Sequence, residues 1–127
     1  MRLTLFLLEG RFAVCQLPPG EPFPAWAMGG GFFSLTRTGD ELSVVSAEGA
    51  APDGTKCEPG WRILQIEGPL DFGLTGILAS VAEPLAEAGV SIFAISTFNT
   101  DYVMVKDESL EKAIEALEAA GHRVSHR

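Results

Sequence analysis

The chain has 127 residues, 46% hydrophobic and 20% charged, with nine Lys and Arg against 17 Asp and Glu for a net charge of −8. Such a length and apolar fraction suit one globular domain, or two small ones sharing a core. The acidic balance argues against nucleic acid, whose phosphates need Lys and Arg, and disfavours an anionic membrane surface.

The opening apolar run, Leu3 to Leu8, is broken by Thr4 and followed by Glu9-Gly10-Arg11 with no small-residue cleavage site, so it does not read as a signal peptide. No run approaches the roughly 18 apolar residues of a membrane span. The expected location is the cytoplasm. Leu3–Leu8 and Phe12–Leu17 read as two strands joined by a tight turn at residues 9–11. A short helix is predicted at Pro24–Met28 and ends at Gly29-Gly30-Gly31. Phe32–Thr38 and Glu41–Ser46 form a second hairpin around Gly39-Asp40. The stretch Ala47–Gly60, rich in Gly, Pro and Asp, is the internal boundary. Cys15 and Cys57 stand far apart without CxxC spacing, which indicates neither a disulfide framework nor a metal site; Cys15 reads as a small core residue.

Trp61–Glu67 is a buried strand, followed by a loop over Gly68–Thr75. A helix over Gly76–Ala88 places Ile77, Val81 and Leu85 on one apolar face, with Pro84 predicting a kink or early break. Strands follow at Ser91–Thr97 and Tyr102–Lys106. A second helix runs from Asp107 or Ser109 to Ala120, with Leu110, Ile114 and Leu117 on its apolar face and Gly121 at its end. His122–Ser125 is a last short strand, with His122 and His126 read as solvated.

The order over residues 61–127 is β-α-β-β-α-β, the ferredoxin-like split motif of an α+β fold. Residues 1–60 give β-α-β-β, with Leu3–Leu8 expected to fill the missing place beside Phe12–Leu17. Two related units are therefore expected, 1–60 incomplete and permuted, 61–127 complete. In the split motif the loop Gly68–Thr75 and the turn Phe98-Asn99-Thr100-Asp101 leave parallel strands at the same end of the sheet. Asp101 then begins the strand between them, beside the helix start.

That juxtaposition has chemical content. A helix N-terminus near Gly76 attracts a carboxylate, Gly73 and Gly76 permit close backbone approach, and Asp101 can accept from an ammonium or guanidinium. Opposite poles this close suit a zwitterion such as an amino acid. Equally, Asn99 and Thr100 are ordinary turn residues, and an Asp at a strand start often binds nearby backbone.

The segments FFSLTRTGDELSVV (Phe32–Val45) and GPLDFGLTGILASVAEPLAEAGVSIFAISTFNTDYVMV (Gly68–Val105), with the helix after them, resemble ACT domains, and more narrowly the CASTOR type of two-ACT protein. The resemblance implies regulatory, non-catalytic amino-acid binding between ACT units. It places the effector against Phe72, Gly73, Leu74, Thr75 and Gly76 and against Thr97, Phe98, Asn99, Thr100 and Asp101, with Ser34 to Thr36 as a weaker facing strand. Because the animal sensors carry four ACT units, a shared site in this chain implies a homodimer. No cofactor and no metal are implied.

Three rival readings remain. A small ferredoxin-like enzyme would need a titratable cluster, which position does not suggest. An RNA-recognition module would need central-strand aromatics on a basic surface, where Val103, Met104 and Val105 stand instead. The third is a protein–protein interaction module with no ligand.

Overall fold

The computed structural model describes residues 1–126. Eight strands form in chain order: β1 (Thr4–Leu7), β2 (Phe12–Leu17), β3 (Ser34–Arg37), β4 (Leu42–Ala47), β5 (Lys56–Ile66), β6 (Phe93–Ser96), β7 (Asp101–Lys106) and β8 (Arg123–His126). Two helices accompany them, α1 (Ile77–Glu87) and α2 (Leu110–Ala119), with single 3-10 turns at Ala25–Ala27 and Asp107–Ser109. The chain divides into two compact units, Gly10–Trp61 and Met1–Glu9 with Arg62–Arg127. It is a mixed α+β fold of the ferredoxin-like kind.

In the Gly10–Trp61 unit the strand order is β3-β4-β2 followed by the first part of β5, all pairs antiparallel. The place beside β2 that the sequence assigns to Leu3–Leu8 is taken by Lys56–Trp61. Residues 56–60 lie inside the stretch read as the internal boundary, so the strand expected from Trp61 begins five residues earlier. Ala13, Cys15, Ala27, Leu42 and Val44 make the core of this unit. Cys15 stands directly opposite Cys57 in the β2–β5 register and is disulfide-bonded to it. The expectation of two unrelated cysteines is thereby corrected. Forty-two residues of sequence separation hide a pairing that only the register creates.

The other unit has the order β8-β1-β5-β7-β6. Here β1 does not pair with β2 as a hairpin. It lies antiparallel to β5 (Leu5 opposite Ile66) and parallel to β8 (Leu5 opposite Val124). The core it completes explains the choice: Leu5 and Leu7 are buried with Leu64, Ile66, Val81, Leu85, Val103 and Val105, and β1 supplies two of this core's leucines. As expected, β7 lies between β5 and β6. On α1, Ile77, Val81 and Leu85 are the buried face. On α2 the buried positions are Ala113 and Leu117, with Ile114 only half-buried.

Pro84 sits within α1, yet the helix runs on to Glu87. Proline has no N–H to offer the carbonyl four residues earlier, that of Ser80. His122 supplies the missing donor: its Nε2 lies 2.8 Å from the Ser80 carbonyl oxygen, while its Nδ1 accepts the Leu3 N–H at 3.1 Å. A carbonyl on one side and an N–H on the other dictate the tautomer, with the proton on Nε2. His122 is therefore 5% exposed and part of the frame, not solvated. A break at Pro84 is averted by a residue far along the chain.

Candidate functional site

The loop between β5 and α1 is shaped by its own side chains and glycines. The Asp71 carboxylate accepts the Gly73 N–H at 2.8 Å, and the Leu74 N–H closes a turn onto the Asp71 carbonyl at 3.0 Å. Gly76, with φ at 77°, occupies the left-handed region and precedes the first helical residue, Ile77. No side chain caps α1 and no acidic residue lies in its first turn, so its first N–H groups have no side-chain partner among the described residues.

The β6–β7 turn is held from within. The Thr97 N–H and hydroxyl both donate to the Thr100 carbonyl, at 2.8 and 3.0 Å. Thr100 is 4% exposed, and its hydroxyl donates to the Ile66 carbonyl at 2.6 Å. Loop and turn are joined by the Leu70 N–H donating to the Asn99 carbonyl at 2.7 Å. Gly68 permits that approach, since a Cβ there would stand 2.8 Å from the Asn99 oxygen and 3.0 Å from the Thr100 Cβ. Above the junction the rings of Phe72 and Phe98 meet edge to face at 4.9 Å.

Between loop and turn lies an open cleft of about 140 Å³. Of the residues expected at the site, it is lined by Phe72, Leu74, Thr97, Phe98, Asn99, Thr100 and Asp101. Gly73, Thr75 and Gly76 do not line it, and the Gly73 N–H is already bonded to Asp71. Ser34 to Thr36, in β3, do not line it either. The sequence reading missed Leu70, Asp71 and Ile77, which do. For Asp71 the signal was present in the Asp-Phe-Gly spacing of a side-chain-closed turn.

Asp101 opens β7 opposite Ser96 and is half-buried. No described donor bonds its carboxylate. Asp71 and Asp101 both line the cleft and no basic side chain of the described residues does, while Ile77 brings the first turn of α1 to its wall. Chemically the cleft offers acceptors for a cation, aromatic edges and an uncapped helix start. Among the described residues no group of three or more His, Cys, Asp or Glu could hold a metal ion. No described helix is long and apolar enough to cross a membrane.

Residues 56–119 match the ACT domain family model, and residues 10–53 match a model of an N-terminal domain. The human cytosolic arginine sensor for mTORC1 subunit 1 is 44% identical over 59 residues, which is 46% of this chain and 18% of that protein. Its rat counterpart is 31% identical over 105 residues, 76% of this chain and 29% of the relative. The chain thus spans less than a third of the length of these relatives. A crystal structure from Agobacterium tumefaciens is 41% identical with a TM-score of 0.94, covering 100% of this chain and 95% of that one. The aspartate kinase of Clostridium acetobutylicum shares the fold, at 17% identity and a TM-score of 0.64 over 88% of this chain and 33% of its own.

Proposed function

Because the chain belongs to the ACT-domain family, we propose that it is a regulatory, non-catalytic module that binds an amino acid or a similar small zwitterion. The observation that carries this reading is the pairing within one cleft of Asp101, a carboxylate with no described donor, and the uncapped start of α1. The ligand's carboxylate lies toward the helix start, where first-turn N–H groups lack side-chain partners. Its cationic group lies on Asp101, with Asp71 adding negative charge. Gly73, Thr75 and Gly76 then act by shaping the loop. A cationic amino acid fits two acids and no base best, and the relatives named as arginine sensors put arginine first in the trial. The proposed setting is cytoplasmic, and a homodimer would cover a cleft that one chain leaves open.

The test is thermal unfolding against each of the twenty amino acids, with wild type and Asp101→Ala side by side. A ligand at one hundred times its dissociation constant adds about 2.7 kcal/mol. Unfolding entropy of about 2.1 cal/mol/K per residue makes this a rise of roughly 10 °C for 127 residues. The rise is expected for one or two amino acids and is lost in Asp101→Ala, which keeps its own unfolding transition. An unchanged rise in the variant removes Asp101 from the site. No rise with any amino acid at millimolar concentration removes the sensor reading.

A second reading has its own observation. Phe72, Leu74 and Phe98 are 74%, 52% and 79% exposed at the mouth of the cleft, a patch that suits a protein partner. A stability change with a protein and with no small molecule would favour it.

A further inference from the structure

The Cys15–Cys57 bridge lies outside that cleft, and its two sulfurs have unequal surroundings. Cys15 is 2% exposed within the core of the Gly10–Trp61 unit. Cys57 is half-buried and lines a cavity of about 250 Å³ beside the segment Glu48–Thr55. The bridge also joins residues already opposed on neighbouring strands, with Val14 opposite Glu58 and Gln16 opposite Lys56 on either side. Opening it leaves that ladder in place, so the strands need not part. Reactivity of a disulfide depends on access and on which sulfur can be reached.

We propose that this pair is a thiol-exchange site, modified at Cys57 by low-molecular-weight thiols that enter through the cavity. A thiolate attacks the Cys57 sulfur on its accessible side. The bond between the two cysteine sulfurs breaks, and Cys15 leaves as a thiolate that takes a proton from water. The mixed disulfide on Cys57 is then attacked at its outer sulfur by a second thiolate. This releases the small-molecule disulfide and a Cys57 thiolate, which is also protonated. The bridge has gained two electrons and two protons, and two small thiols have been oxidised to one disulfide. In a reducing compartment, where stable disulfides are rare, such exchange sets the state of the pair.

The cavity also selects the thiol. Glu48 and Asp53 line it and no basic side chain of the described residues does. Each unit of negative charge at such a wall slows a unit-charged anionic thiolate by roughly two- to threefold relative to a neutral one in water at low salt. Thiols of net positive charge, such as cysteamine, are favoured over net anionic ones such as glutathione.

The experiment treats the oxidised full chain with cysteamine, 2-mercaptoethanol or glutathione at matched thiolate concentration, quenches with N-ethylmaleimide in denaturant so that the buried Cys15 is labelled as well, and reads intact mass and peptide maps. Each rate is divided by the same thiol's rate on a small neutral disulfide. The expected rate order is cysteamine, mercaptoethanol, glutathione, with the spread narrowing at high salt and in Asp53→Asn. The mixed disulfide maps to Cys57, the end state carries two maleimides, and the far-ultraviolet dichroism is unchanged throughout. With cystamine, the disulfide of cysteamine, in place of the thiol, Cys15→Ser takes one cysteamine on Cys57 and releases the other, whereas Cys57→Ser leaves Cys15 unmodified in the folded protein. The proposal is overturned if the bridge does not form with a disulfide oxidant, or if it opens only in denaturant. It is equally overturned by the adduct falling on Cys15, or by rates indifferent to thiol charge.

Discussion

If His122 supplies the donor that Pro84 withholds, then the cost of losing His122 depends on what stands at position 84. His122→Ala leaves the Ser80 carbonyl and the Leu3 N–H without their partners. Each orphaned buried group costs about 1 to 3 kcal/mol, so the pair costs roughly 2 to 6 kcal/mol. Pro84→Ala restores an N–H four residues after Ser80, and by helix propensity alone that change stabilises. In its presence the Ser80 carbonyl has an intrahelical donor whether or not His122 is there. The cost of His122→Ala should then fall by about 1 to 3 kcal/mol. That coupling exceeds the roughly 0.3 to 0.5 kcal/mol within which independent sites add. With about 0.27 kcal/mol/K of unfolding entropy for 127 residues, it amounts to a difference of at least about 4 °C. Calorimetric melts and urea unfolding of wild type, both single variants and the double variant complete the cycle. Equal costs of His122→Ala in the wild-type and Pro84→Ala backgrounds would refute the compensation.

Gly68→Ala should force the loop from the β6–β7 turn, because the new Cβ meets the Asn99 carbonyl oxygen at 2.8 Å and that oxygen is backbone. Overpacking at such a site typically costs about 1 to 3 kcal/mol, read by calorimetry and accompanied by weaker ligand response. Gly73→Ala is the contrast. Its Cβ would meet nothing nearer than the Asp71 carboxylate at 3.4 Å, and a melting temperature as low as that of Gly68→Ala would contradict the steric argument. Reducing the bridge across 42 residues should lower stability by about 4 kcal/mol on a chain-entropy account. Urea titrations of oxidised and reduced chain measure it, and coincident curves would show that the β2–β5 ladder alone holds this region.

Periodicity and turn chemistry determine a good deal of this protein before any coordinate is known. The α1 face of Ile77, Val81 and Leu85, the strand at Asp101–Lys106 and the glycine-rich loop before the helix are local properties of a few neighbouring residues. The meeting of that loop with the turn at Asn99 is also legible, because the split motif has only one chain order to satisfy and it brings both to one end of the sheet. What tertiary structure alone decided is which distant partner each local element takes. Thr4–Leu7 alternates as well for β2 as for β5, and only the core that Leu5 and Leu7 complete settles the pairing. Cys15 finds Cys57 by register, and Lys56–Trp61 becomes a strand because an antiparallel neighbour satisfies its backbone despite Pro59 and Gly60. The Ser80 carbonyl finds His122 for the same reason: a hydrogen-bond vacancy is visible in the sequence, but its remedy lies wherever the fold can bring a donor to it.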